Sequence, residues 1–325
     1  MSDRSAIVLE NYEIEVLRTW KGRGAVLCET KQGILILKEY AGHREKAAFQ
    51  DAFLRMIQEK GFYQAESIIR NKEQELLTVD VDGTAYILKT YEDGRECNVK
   101  DMDECRDAVR TLAALHKVSR SDDPISAYAQ PYSVSREYYK HNRELRRVRK
   151  YLKDRGQKTD FEIALLHSFD YFLNLALQVT EELELYEDQK EGYFICHGDY
   201  QYHNVILSGG KMYVINFEKC LYDSSVRDLY LFMRKLLEKS EWSEFVGFDL
   251  MQAYEAVRPM EKEEYRNLYY RLAYPEKFWK IVNFYYNSGK AWIPDKNMEK
   301  LVRITDQEKN KQEFLKSFKK RYGLS

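Results

Sequence analysis

Between residues 7 and 40, apolar and polar positions alternate with a period of two in three short runs, 12–17, 25–30 and 33–38. A period of two sends successive side chains to opposite faces, so these runs predict the antiparallel strands of a meander. Turn signals separate them at Lys21-Gly22-Arg23-Gly24 and Lys31-Gln32-Gly33. A loop with two glycines can bring backbone N–H groups close to phosphates, and it can equally be a plain turn. Runs 75–79 and 85–89 predict a second hairpin across 80–83, completing a sheet of about five strands. The period changes to that of a helix over 43–60, where Glu45, Phe49 and Phe53 recur at i, i+4 and i+8 on one face. Beyond residue 94 helical spacing dominates, over 100–118, 136–155 and 161–186, then from Ser224 or Ser225 onward. A last helix, 308–320, packs along its Phe314 and Phe318 side.

One stretch interrupts these helices. A short apolar run, 193–196, delivers His197-Gly198-Asp199, and alternating segments 204–207 and 211–217 flank Ser208-Gly209-Gly210. That is the pattern of a β-hairpin with a Gly-Gly turn. Counting outward from Gly209 and Gly210 pairs Leu207 with Met212 and Val205 with Val214, so Asn204 and Asn216 meet at the open end. Asp199 lies just beyond it. The hairpin therefore gathers a carboxylate and two side-chain amides on a rigid element, as an ion or phosphate site requires.

Composition changes this picture little. A chain of 325 residues is long enough for two lobes and a sizeable core. Basic and acidic residues nearly balance, 52 against 53, so neither nucleic acid nor a membrane surface is expected as partner. The first six residues lack the apolar core of a signal peptide and no run reaches membrane-spanning length, so cytoplasmic synthesis is expected. The five cysteines form no C-x-x-C pair and lack a histidine at zinc-like spacing, which predicts reduced, buried thiols. The 26 tyrosines are read as filling helix faces, a choice composition alone does not make, and the basic residues of 136–155 as a solvated face or a patch for an anionic partner.

His197-Gly198-Asp199, then Asn204, then Ile215-Asn216-Phe217-Glu218 resemble the catalytic and metal-binding loops of the aminoglycoside phosphotransferase and choline kinase type, H-G-D-x-x-x-x-N and I-D-F-x. Leu112-Ala113-Ala114-Leu115-His116 resembles a second motif of those enzymes. The resemblance implies an α+β, bilobal, protein-kinase-like fold. Its small antiparallel-sheet N-lobe with one helix would span 1–92, and its larger, mainly helical C-lobe 93–325, with 90–94 as hinge. It implies ATP or another nucleoside triphosphate and Mg2+ as cofactors. Asp199 then orients the acceptor hydroxyl, and Asn204 and Asn216 hold the metal, Asn216 standing where the family has an aspartate. Lys38 contacts phosphate and Glu45 fixes its ammonium. The plainer alternative makes Lys38 a solvent-reaching lysine and Glu45 a first-turn acid favoured by the helix dipole. Glu218, two residues past Asn216, alternates to the same side of the strand and supplies the missing carboxylate, or else pairs with Lys219 or Arg227 in solvent. His116 is read as a core or capping residue, Asp228 either as an acid bracing the catalytic loop or as an ordinary first-turn carboxylate, and the C-terminal aromatics as core with a share in an acceptor pocket.

Tyr91-Glu92-Asp93-Gly94-Arg95-Glu96-Cys97, the Cys196-His197-Gly198-Asp199-Tyr200 start of the loop, and Asp223 to Asp228 leading into Leu229-Tyr230 narrow the resemblance. They are similar to the CotS-like, kinase-like spore-coat family of endospore-forming bacteria. That implies the spore coat as location and other coat proteins as partners. The resemblance leaves two readings: a phosphotransferase acting on a small-molecule or protein acceptor, or a pseudokinase that serves as a structural component of the coat. A hydrolase using Asp199 and His197 is a more distant third.

Overall fold

The computed structural model describes residues 3–22, 24–121, 132–187, 193–287 and 295–324. The chain opens with helix α1 (Asp3–Leu9), then the meander β1 (Val16–Gly22), β2 (Ala25–Thr30) and β3 (Gly33–Glu39). Helix α2 (Arg44–Glu59) follows, then β4 (Ile68–Ile69), β5 (Thr78–Val79), β6 (Ala85–Thr90), β7 (Arg95–Glu96), α3 (Met102–Val118) and β8 (Arg120–Ser121). Two long helices, α4 (Val134–Asp154) and α5 (Asp160–Glu187), precede β9 (Tyr193–Cys196), the hairpin β10 (Val205–Ser208) and β11 (Lys211–Val214), and β12 (Leu221–Asp223). The chain ends in α6 (Val226–Lys239), α7 (Glu244–Glu255), α8 (Lys262–Ala273), α9 (Glu276–Asn287), α10 (Asp295–Asp306) and α11 (Glu308–Tyr322).

Two compact units emerge. The first comprises Met1–Pro131, Gly192–Leu229 and Gln252–Pro259, the second Tyr132–Glu191, Tyr230–Met251 and Met260–Ser325. The first unit carries a six-stranded antiparallel sheet in the order β1-β2-β3-β6-β4, with β5 also paired to β6. Leu35 and Leu37 of β3 and Tyr86 and Leu88 of β6 face Val8 and Leu9 of α1 and Tyr12. On the opposite face, Ile87 packs with Ala47 of α2. The expected first strand over 12–17 is thus displaced to Val16–Gly22. Val8, Leu9 and Tyr12 have helix-like spacing and cover a sheet face, where their burial exceeds what an edge strand would give them.

The register across β3 and β6 decides where two lysines point. Lys38 lies opposite Ile87, and Ile36 opposite Lys89. Directly paired residues share a face, so both lysines project to the α2 side of the sheet. Two smaller sheets, β11-β10-β7 and β12-β9-β8, complete this unit. The β10–β11 hairpin has the expected register, with Val205 opposite Val214 and Leu207 opposite Met212. Gly209 and Gly210 at its turn have φ of 52° and 77°, the left-handed region that glycine enters without steric cost.

The second unit is helical and rich in aromatic contacts. Tyr138 of α4 stacks on Tyr274 with centroids 3.6 Å apart, and His141 on Trp279 at 3.5 Å. The Tyr274 hydroxyl donates to Asn142 Oδ1, whose amide donates to Thr180 of α5. α5 starts in a capping box: Thr159 N–H donates to the Glu162 carboxylate, and Glu162 N–H to the Thr159 hydroxyl. Arg143, Arg146, Arg147, Lys150 and Lys153 are exposed on α4, the solvated face read from the sequence. All five cysteines are buried and unbridged. Among the described residues, no helix is long and apolar enough to cross a membrane.

Candidate active site

The loop after β9 is held by backbone hydrogen bonds that leave its residues little freedom. Asp228, fully buried on α6, accepts from the backbone N–H groups of His197 at 2.7 Å and Gly198 at 2.8 Å. His116 of α3 completes this brace, with Nε2 3.3 Å from Asp228 and Nδ1 2.7 Å from the Tyr254 hydroxyl. Burial drives the Asp228 carboxyl up, but His116 and the donated N–H groups outweigh it and hold it below its ordinary value. Gly198 has φ 81°, and a Cβ there would lie 2.1 Å from the Lys219 carbonyl oxygen, so no other residue fits. His197 is buried, with Nε2 donating to the Ile215 carbonyl and Nδ1 accepting from Asp199 N–H. Both ring nitrogens serve the backbone, which takes His197 out of any role as general base.

Asp199 points away from this brace. Its Oδ1 accepts from Gln201 at 2.6 Å and its Oδ2 from the Lys219 ammonium at 2.8 Å. Burial raises its pKa, but these donors prevail and the carboxyl is held below its usual range, so it is ionised at neutral pH. A relay of amides ties it to the sheet. Asn204 Nδ2 donates to the Asp199 carbonyl, Asn216 Nδ2 donates to Asn204 Oδ1 at 2.9 Å, and Lys38 Nζ donates to Asn216 Oδ1 at 3.0 Å. The meeting of Asn204 and Asn216 expected from the hairpin register is therefore direct.

Glu218 reaches the same place by a different route from the one expected. β11 ends at Val214, Asn216 adopts a left-handed backbone with φ 66°, and residues Phe217–Lys219 form a turn of 3-10 helix. Strand alternation does not extend to Glu218. The turn itself swings its carboxylate beside Asn216, where Oε1 accepts from Lys38 at 3.2 Å and from Lys89 at 2.7 Å. Burial disfavours its charged form, but Lys89 and Lys38 reverse this and depress its pKa to about 2.

The expected Lys38–Glu45 pair is not formed. Glu45 is exposed in the first turn of α2 and borders an open cavity with Arg44, Asp51, Arg55 and Arg70. Helical spacing puts it in line with Phe49 and Phe53, but the packed surface of α2 begins at Ala47, two residues too late to bury it. Phe53 instead packs on Phe217 and Phe49 on Tyr222. The α2 residue that serves the site is Gln50, whose amide donates to Glu66.

Glu66 and Lys89 went unnoticed in the sequence. Lys89 Nζ lies 3.0 and 2.9 Å from the two oxygens of Glu66, and both side chains are almost wholly buried. Glu66 also accepts the backbone N–H groups of Asn216 at 2.9 Å and Phe217 at 3.0 Å, pinning the turn that carries Glu218. Burial works against the charge on Lys89, yet Glu66 and Glu218 overcome it and raise its pKa. The only available signal was the lysine itself, placed in an otherwise apolar strand, Ala85-Tyr86-Ile87-Leu88-Lys89.

Residues 5–318 match the model of the family described as "Spore coat putative kinase YutH". The chain belongs to this family. Its resemblance to Spore coat protein S of Bacillus subtilis (strain 168) is narrower, at 29% identity over 122 residues, which cover 37% of this chain and 35% of that protein. Among solved structures, the chain is similar to an aminoglycoside phosphotransferase from Alicyclobacillus acidocaldarius subsp. acidocaldarius DSM 446. The TM-score is 0.85 at 19% identity, covering 98% of this chain and 96% of that one. It is also similar to spectinomycin phosphotransferase APH(9)-Ia, determined with ADP and spectinomycin, with a TM-score of 0.65 at 13% identity over 97% of each chain. At such identities the likeness establishes the fold: this member of the YutH family has the α+β fold of the aminoglycoside phosphotransferases.

Two outcomes are expected of this YutH-family chain. Asp228→Ala strands two buried N–H groups and the His116 partner, so it lowers the unfolding free energy by about 3 kcal/mol or more, measured by urea denaturation. The depressed pKa of Glu218 adds stability that is complete above its ordinary value of 4.5 and drains away as pH falls toward about 2. Glu218→Gln removes that contribution, so stability measured from pH 6 to pH 2 declines less steeply than in the parent.

Proposed function

We propose that this chain is a spore-coat-associated phosphotransferase, passing the terminal phosphoryl group of ATP or another nucleoside triphosphate to a hydroxyl of a small molecule or protein. The observation that carries this reading is the Glu218 carboxylate beside Asn216, both bonded to the Lys38 ammonium. It returns a negative charge to the neighbourhood of a loop position where a neutral amide stands.

The donors suit a hard divalent cation. Asn204, Asn216 and Glu218 offer only oxygen, with one ionised carboxylate among them, as Mg2+ prefers. These three residues would hold the ion, which when bound neutralises charge on the phosphate oxygens. The rest is done by the chain. Lys38, the less buried of the two lysines, turns its ammonium to phosphate. Asp199, ionised, accepts the proton of the acceptor hydroxyl as its oxygen forms the new bond to phosphorus and the bond to the nucleoside diphosphate breaks. Its partner Lys219 is largely exposed and free to swing away. The named relatives support the coat as location; other coat proteins are the partners proposed there.

A second reading, a catalytically silent building block of the coat, is favoured by a different observation. Lys38 and Lys89 are already matched by Glu66 and Glu218, so the cluster is electrically balanced by itself. Turnover separates the two. The full chain with Mg2+ and γ-labelled ATP hydrolyses nucleotide, water taking the place of the acceptor hydroxyl and inorganic phosphate leaving, and Asp199→Asn slows it by about 10²- to 10⁴-fold, the usual contribution of a general base. A parent rate no higher than that of Asp199→Asn supports the silent reading instead.

A further inference from the structure

Lys89 has three ammonium hydrogens and three close oxygens: both oxygens of Glu66, at 3.0 and 2.9 Å, and Oε1 of Glu218, at 2.7 Å. It is thereby fully committed and, with 1% of its side chain exposed, has no path to a nucleotide. Its distances nevertheless link two separate parts of the site. Through Glu218 it grips a carboxylate that is 27% exposed. Through Glu66 it grips the acceptor of the Asn216 and Phe217 N–H groups, hence the left-handed turn from which Asn216 and Glu218 both project. Gln50 of α2 steadies Glu66 from a fourth direction.

We propose that Lys89 and Glu66 are positioning residues for the metal: they set the spacing between Asn216 and Glu218, and the cation affinity of the site depends on them although neither touches the ion. The inference rests on the reading of Asn204, Asn216 and Glu218 as metal-holding residues. Without Lys89, Glu218 keeps Lys38 as its single ammonium partner and loses its inner anchor, and Glu66 becomes an unpaired buried carboxylate. Without Glu66, two N–H groups of the turn lose their acceptor and Lys89 loses its main counter-charge. Either change loosens the two oxygen donors relative to each other. It leaves Lys38, the phosphate contact, on its own strand. Outer residues of this kind typically change metal affinity by about 10- to 100-fold.

The test uses Mn2+ as probe, with free ion followed by electron paramagnetic resonance during titration of the full chain in the presence of ADP. Lys89→Met is expected to weaken Mn2+ binding by about 10-fold or more, and Lys89→Arg to restore most of it. Affinity for ADP without metal, from equilibrium dialysis, stays within about threefold of the parent in both, since the phosphate-contacting Lys38 is intact. A purely structural role would move both affinities together, and that result overturns the proposal. So does unchanged Mn2+ affinity in folded Lys89→Met. Where Lys89→Met fails to fold, the double variant with Glu66→Gln removes both buried charges, restores a neutral interior and must still bind Mn2+ weakly. A parent chain that binds ADP but no Mn2+ overturns the metal assignment itself, and the positioning role with it; parent binding that is indifferent to Lys89 overturns the positioning role alone.

Discussion

The buried pair of Glu66 and Lys89 is the interaction on which the open end of the hairpin depends. Taking either charge out of water alone costs several kcal/mol, and removing one partner from such a pair typically destabilises by about 3–5 kcal/mol. Here the cost is offset because almost every valence is used. Glu66 receives the ammonium, a glutamine amide and two backbone N–H groups, and Lys89 spends its third hydrogen on Glu218. An apolar pair of similar volume would fill the space as well. It would supply no acceptor for the N–H groups of Asn216 and Phe217, and the turn would lose the contact that sets it.

From that pair the site is assembled outward by successive hydrogen bonds. In order of contact, Glu218 comes next, then Lys38 and Asn216, then the amide relay to Asp199, and last the exposed Lys219. Glu66 and Lys89 at the back are almost wholly buried, and Lys219 at the front is largely exposed. A second anchor acts independently. Asp228 holds the His197-Gly198 backbone by two hydrogen bonds, so the His197–Asp199 loop and the Asn216–Phe217 turn are each fastened by a buried carboxylate. In both cases a buried carboxylate accepting paired N–H groups does the positioning.

Much of this was legible in the sequence, for reasons of range. The Gly209-Gly210 turn with its flanking alternation is local, so the register and the approach of Asn204 to Asn216 could be counted off directly. The H-G-D and I-N-F-E segments carried the family resemblance because their spacing is enforced by a tight loop in which only glycine fits at position 198. Elements fixed by tertiary contact were not legible. Periodicity places Glu45, Phe49 and Phe53 on one face but does not say where the helix leaves the core, and Glu45 lies beyond that point. Glu218 was assigned to a strand because nothing in a single sequence marks Asn216 as the residue that turns left-handed. Glu66 and Lys89 are 23 positions apart and lack a shared motif, and only the sheet register brings them together. The short α1 was hidden in the same way, since seven residues make a weak helical signal and its purpose is to cover a sheet face.

The melting temperature of the full chain with ATP, with and without Mg2+, in the parent and in Glu218→Gln, tests whether Glu218 stands in for the carboxylate absent at Asn216. Ligand that binds only the folded state raises its stability, so metal retention appears as a magnesium-dependent increment on top of the shift caused by ATP. That increment is expected in the parent and lost in Glu218→Gln, with the metal-free ATP shift preserved or enlarged because Lys38 is released from its competitor. An increment of equal size in both proteins, or none in the parent, would contradict that role of Glu218.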